Sequence, residues 1–266
     1  MTWLRFVQSI RRTSGRWVYR GGLGHWRLET SLERTCAAWR IPLRHAAALE
    51  HKLAREFERH PEIVGHIIRP EDYLERLALM QHHGAPTRLL DWTYSPYIAA
   101  FFAFESLLWD RSNRRDVRAT VWALDIDWLE RRLREKLTPD DWALYTHKKD
   151  GKSFKQLFVD RTPRVSFIGT ATPRALNQRL SVQQGLFLCP GDVTRSWQEN
   201  LDSLAEARRR PQLRAFKFPR SSIKTAFSEL GAMNVTARSL FPGIDGYARS
   251  MGARAYQVWK TPVSAE

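Results

Sequence analysis

Cysteine is scarce in this 266-residue sequence: Cys36 and Cys189 lie far apart and in no metal-ligand spacing. Their scarcity argues against a disulfide scaffold or a cysteine-based zinc site and fits a reducing compartment. Long apolar runs are missing too. The longest apolar-rich stretch, Tyr97–Phe104, falls well short of the roughly 18 residues of a membrane span. No leader-like pattern of basic then apolar residues is found near Met1, so the expected location is cytoplasmic, with no membrane partner. Internal repeats and long Gly/Ser linkers are also missing, which leaves one domain over residues 1–266 as the expectation. Acidic residues are in deficit, at 28 against 43 Lys+Arg, for a net charge of +15. A field of that sign attracts polyanions, and three partners stay open: nucleic acid, a phosphate-rich small ligand such as a dinucleotide, or an acidic protein.

Apolar material is ample. Hydrophobic residues make up 43% of the chain, with Trp 11, enough for a sizeable core. The run Trp17-Val18-Tyr19 reads as a strand, and Arg20-Gly21-Gly22 as the turn after it. Residues 42–60 carry Leu43, Ala46, Ala47, Leu49, Leu53 and Phe57 at helical spacing with charges on the other face, and 71–82 repeats that pattern. Residues 83–95 read as a loop, after which Pro96 opens a helix over Tyr97–Trp109, apolar nearly all round. Alternation predicts strands at Ala119–Asp125, Arg164–Gly169, Ser181–Cys189 and Leu213–Phe218. Helices are expected at Trp128–Lys136, at Ser221–Leu230 (closed by Gly231) and over Gly243–Met251. Interleaved strands and helices make the fold class α+β, with a mixed sheet and several flanking helices.

Three segments concentrate chemistry. The first is Tyr19-Arg20-Gly21-Gly22, where an Arg beside two Gly can hold an anion that approaches the backbone closely; an exposed Arg before a tight turn has the same pattern. In the second, residues 81–103, a Gln, two His, an Arg, an Asp, a Trp and two Thr crowd around Gly84 and Pro86. Such a loop is either a structural network or a site, because buried polar groups need partners. Within it Asp91 can cap the turn, Arg88 can pair with Asp91, and Trp92 can be core. The third is Arg179–Phe187, in which Gln183 and Gln184 sit side by side in an expected strand, so that one of them faces inward.

Together these segments resemble the FRG domain family. The likeness rests on Tyr19-Arg20-Gly21, on Gln81-His82-His83-Gly84-Ala85-Pro86-Thr87-Arg88-Leu89-Leu90-Asp91-Trp92-Thr93, and on Ser95-Pro96 with Ala99, Phe102 and Ala103. It continues through Arg179, Gln184-Gly185 and Phe187 to residues 240–246, which gives a motif-bearing core of about 15–250. The order of motifs is similar to that of NAD-dependent ADP-ribosyltransferases. In those enzymes a first strand carries an Arg for an NAD phosphate, a second strand carries Ser-Thr-Ser before a helix, and a third carries a catalytic Glu.

What the resemblance implies is a mono-ADP-ribosyltransferase with NAD as substrate, acting as a prokaryotic toxin or anti-phage effector. Arg20, His82, Asp91 and Gln184 are its implied catalytic residues. Tyr19, Gly21, Thr87, Arg88, Trp92, Thr93 and Gln183 are its implied NAD-binding residues, with Arg20 and Arg88 on the pyrophosphate and Trp92 or Tyr19 stacked on the nicotinamide. No Glu lies in or beside 179–190, and a Gln cannot act as a base, so either His82, His83 or Asp91 takes that part, or the chemistry needs no base, or the site only binds. The basic runs at 207–220 and 111–118 favour a nucleic-acid acceptor, RNA or DNA, over a protein one, although a solvated face has the same pattern and is the better reading of 208–210. A toxin of this kind implies a neutralising antitoxin or chaperone. A non-catalytic nucleotide- or nucleic-acid-binding module is the competing class. No carboxylate cluster suited to two metals accompanies the motifs, so no metal is implied.

Overall fold

The computed structural model describes residues 1–60, 63, 72–112, 116–148, 150–174, 178–205, 212–244 and 246–252. Its centre is a six-stranded sheet in the order β4-β5-β2-β1-β3-β6. The strands are β1 (Trp17–Leu23), β2 (Leu90–Thr93), β3 (Ala119–Asp125), β4 (Ile168–Ala171), β5 (Gly185–Pro190) and β6 (Leu213–Phe218). The α+β class holds. The sheet itself is antiparallel at every pairing rather than mixed in direction. An alternating segment looks alike in either orientation, so strand direction is not written in local periodicity.

The sheet is zipped unevenly. Strand β1 pairs with β3 along its whole length, from Trp17↔Asp125 to Leu23↔Ala119. With β2 it shares only the Tyr19↔Thr93 register. Strand β2 instead pairs fully with β5, from Leu90↔Leu188 to Thr93↔Gly185. The two halves of the sheet therefore meet at one point and open away from it.

Helices flank both halves: α1 (Trp3–Arg11), α2 (Ser31–Ala38), α3 (Ala46–Glu58), α4 (Tyr73–His82), α5 (Pro96–Leu108), α6 (Ile126–Lys136), α7 (Pro139–Thr146), α8 (Gln178–Val182), α9 (Trp197–Asp202) and α10 (Ile223–Ala232). Helix α5 starts as its sequence dictates. Ser95 accepts from the Ile98 N–H, and Pro96 fills the first turn, where its missing donor costs nothing. Being apolar nearly all round, α5 lies buried against β1 and β3, with Ala99, Ala103, Phe104 and Leu107 fully enclosed. Phe104 and Leu107 each contribute about 1.5–3 kcal/mol through removal from water. A second core forms around Val18, Leu77, Leu124, Leu186 and Leu188.

Several expectations shift. Strand β1 runs straight through Arg20-Gly21-Gly22 instead of turning there. The reason is packing: a Cβ on Gly21 would lie 1.8 Å from the Ala99 carbonyl oxygen and 2.6 Å from the Ala103 nitrogen. Gly21 is thus the gap in the strand that lets α5 lie against it. The expected loop 83–95 contains β2. Glu50, read as part of a charged face, is fully buried on α3. The strand expected at Arg164–Gly169 begins only at Ile168. Helix α10 runs through Gly231, and the chain leaves it at Asn234, whose φ of 58° suits an amide side chain. Asp245 and residues 113–115 and 207–211 of the basic runs lie outside the described residues. Among the described residues, no helix is long and apolar enough to cross a membrane.

Candidate functional site

Where the sheet opens between β1 and β2, a cleft of about 270 Å³ forms. Its walls come from β1, β2, the start of β5, the last turn of α4, the middle of α5, α8 and the C-terminal residues Phe241 and Arg249. Distant stretches of the chain thus converge on one concavity, the usual setting of a small-molecule site.

The second motif builds one wall through a relay of side chains. The Thr87 hydroxyl donates to Gln81 Oε1 at 2.5 Å, which fixes the Gln81 amide, and Gln81 Nε2 donates to Asp91 Oδ2 at 2.8 Å. Ser31 ties the same corner to α2 by accepting from the Thr87 N–H at 2.9 Å. Asp91 is therefore held in a set direction at the edge of the cleft while remaining exposed. The next strand supplies Arg20, whose Nη1 donates to the Asp91 carbonyl oxygen at 2.6 Å. No carboxylate among the described residues lies within ion-pair distance of Arg20. Burial pulls its pKa down, the Asp91 charge works the other way, and the Arg34 guanidinium adds to the lowering. A cation so placed gains from an incoming anion.

The opposite wall holds a carboxylate that motif reading overlooks. Glu105, on α5, is 6% exposed and lines the cleft. Both of its oxygens accept from Arg249, at 2.6 Å from Nε and 2.6 Å from Nη2. Arg249 also lies 4.1 Å from the centre of the Phe241 ring, and Arg179 lies 4.9 Å from the same centre. Phe241 thus carries two guanidiniums, both lining the cleft. One signal for Glu105 is readable: it is the lone charge in the otherwise apolar helix PYIAAFFAFESLL, a place where a carboxylate is costly without a partner. Its partner Arg249 is 144 positions away, beyond any local pattern.

Of the residues singled out from sequence, Tyr19, Arg20, Gly21, His82, Asp91, Trp92, Thr93 and Gln183 line this cleft. Arg88, Thr87 and Gln184 do not. Arg88 is 1% exposed and committed to Glu50, with Nε donating to Oε2 at 2.6 Å and Nη1 to the Phe158 carbonyl at 2.5 Å. Burial opposes its charge, yet the Glu50 charge and hydrogen bonds override that and raise its pKa. It cannot reach a pyrophosphate. Thr87 is buried in the Gln81 relay. Gln184 is not in a strand: α8 ends at Val182, and Gln184 takes a turn conformation with φ 47° before β5 begins at Gly185. Its side chain is exposed on a neighbouring surface.

Three of the lining residues have structural commitments. Trp92 is stacked on Trp197, with ring centres 6.1 Å apart, and is buried, so it offers no open face to a nicotinamide. The Thr93 hydroxyl donates to the Gln183 carbonyl at 2.7 Å and accepts from the Ser95 N–H, which locks β2 to the turn before β5. The Gln183 amide donates to the Leu240 carbonyl at 3.1 Å. His82 is exposed at the rim. Partial burial, then the charges of His83 and Arg179, lower its pKa, so it is neutral at pH 7 and able to take a proton.

Residues 15–111 match the family model of the FRG domain. The match takes in Tyr19-Arg20-Gly21, the whole of Gln81–Thr93 and helix α5, and ends before α8, β5 and the 240–246 segment. No curated protein and no solved structure matches the chain.

Proposed function

With residues 15–111 belonging to the FRG domain family, we propose that the cleft takes NAD as substrate and transfers its ADP-ribose to an acceptor. The observation that carries this reading is Arg20: half-buried, unmatched by a carboxylate among the described residues, and one strand away from Asp91. A site that desolvates a guanidinium without neutralising it suits a phosphate. The neighbouring central strands β1, β2 and β5 also carry or adjoin Tyr19-Arg20-Gly21, Asp91-Trp92-Thr93 and Gln183-Gln184-Gly185 in that order. That is the motif order the ADP-ribosyltransferase resemblance implies.

In this reading Arg20 and Arg179 hold the pyrophosphate. Arg249 is the third cation, and a phosphate competing for it releases Glu105. The nicotinamide lies against Phe102 and Tyr19 rather than Trp92. The bond between ribose C1′ and the pyridinium nitrogen breaks, and nicotinamide leaves neutral with the bonding pair. The Asp91 and Glu105 carboxylates stabilise the positive charge that develops on the ribose. A lone pair of the acceptor closes on C1′, and the acceptor's proton passes to Asp91, Glu105 or the neutral His82. The missing third-strand Glu is thereby replaced by a carboxylate from α5. Placed in a cell, the activity is that of a toxin or anti-phage effector, cytoplasmic and held in check by a neutralising partner.

One observation favours a binding module instead: Glu105 is already saturated by Arg249. The experiment separates the two readings. Purified protein is incubated with NAD, and nicotinamide release is followed by chromatography. Steady release that falls about 100-fold in Arg20→Ala and in Glu105→Gln supports the enzyme, on the scale seen when one electrostatic stabiliser is removed. NAD that binds by calorimetry but stays intact supports the module. NAD that neither binds nor reacts ends both readings of the cleft as an NAD site.

A further inference from the structure

A second concavity of about 600 Å³ adjoins the cleft, and Arg20 belongs to both. Strand geometry explains the arrangement. Arg20 and Gly22 lie on the same face of β1, since side chains alternate. A Cβ on Gly22 would meet the Trp26 ring at 2.8 Å and the Trp122 ring at 3.2 Å, so both indoles lie over the bare backbone of that glycine. Trp122 is the direct cross-strand partner of Arg20. Trp26 follows in the turn after β1, held by its N–H donating to the Leu23 carbonyl, and stays 48% exposed. Around the indoles stand His25, Arg27 and Arg34 against one acidic residue, Glu29. Arg34 is steadied by donating to the Glu29 carbonyl.

We infer that this pocket binds single-stranded nucleic acid, with one unpaired base stacked on Trp26 and the flanking phosphates on Arg27 and Arg34. An open indole face supplies sequence-tolerant stacking, and guanidiniums at its rim supply backbone contacts. A duplex keeps its bases stacked on each other and cannot use the indole. The chain's net charge of +15 complements a polyanion. Resting on the reading above, the strand held here is the acceptor: Arg20 separates the two concavities, so a base on Trp26 places its neighbour at the mouth of the cleft.

The test uses the full chain and a fluorescein-labelled 12-residue single-stranded RNA, with affinity read by anisotropy in the absence of NAD. Trp26→Ala weakens binding about tenfold or more, Trp26→Phe restores most of the loss, and Arg27→Gln lowers the slope of log K against log salt by about one. Trp39→Ala, at an exposed tryptophan outside the pocket, changes neither reading. The same RNA annealed to its complement binds more weakly than the single strand. RNA affinity indifferent to Trp26 overturns the inference. So does weaker NAD binding in Trp26→Ala with RNA affinity unchanged, which assigns the pocket to the adenine end of NAD. Label from NAD that reaches only protein, and no nucleic acid, in a lysate overturns the acceptor assignment. Trp26-dependent RNA binding by a protein that never consumes NAD keeps the pocket and removes the enzymatic reading.

Discussion

The network around Arg88 and the cleft around Arg20 treat the same side chain in opposite ways. Around Arg88, Glu50 and the Phe158 carbonyl meet the guanidinium at 2.5–2.6 Å, and neither Arg88 nor Glu50 is appreciably exposed. Around Arg20, one backbone carbonyl is the partner, and the nearest charge that helps is Asp91. The first arrangement is a closed lattice joining α3, the strand-entry segment before β2 and residue 158. It organises the chain but leaves nothing for a ligand. The second leaves part of the electrostatic demand of a half-buried cation unmet, which is what a binding site requires. An arginine inside a motif is therefore not diagnostic. Whether its charge is already answered by the fold decides its role.

The comparison can be broken at its strongest point first. Arg88→Met leaves Glu50 buried without its partner and should lower unfolding stability by about 3–5 kcal/mol in urea denaturation. Adding Glu50→Leu should return much of that loss; if the double variant is no better than the single, the pair is not the organising contact. Next comes Gly21→Ala, which drives a methyl group into the α5 backbone. It should destabilise by about 1–3 kcal/mol through overpacking, and a variant of unaltered melting temperature would mean that α5 does not lie on β1 as described. Arg20→Met should move stability by no more than about 1 kcal/mol in either direction, since the lost hydrogen bond is offset by removing a desolvated charge. A loss on the Arg88 scale would make Arg20 structural too. Smallest is Gln184→Gly, which relieves the left-handed backbone at φ 47° and should stabilise by less than about 1 kcal/mol, with NAD turnover unchanged.

Much of the fold was legible. Strands β3 and β6 and helix α5 follow from alternation, from full-length apolar character and from the Ser95-Pro96 start. Strand β2 was not, because Leu90-Asp91-Trp92-Thr93 is short and sits among turn-forming residues, so it exists by pairing along its length with β5 and at one register with β1. The paired glutamines looked like strand residues because an apolar run follows them. The helical segment Gln178–Val182 and the turn at Gln184 push the start of that strand four residues later than expected, to Gly185 instead of Ser181.

In the candidate site the same division appears. Arg20, Asp91 and His82 could be singled out because charged and imidazole groups beside glycine and proline are informative wherever they occur. Glu105 and Arg249 could not be joined, since each looks ordinary in its own segment and they meet only across 144 positions.

By itself the amino-acid order determined the family signature, the cationic character and the types of chemistry the motif residues can perform, because those are properties of side chains and near neighbours. Only the tertiary structure decided which arginine lines the open cleft and which braces the core. That choice depends on where Glu50 and Glu105 come to rest, and long-range packing, not local pattern, puts them there.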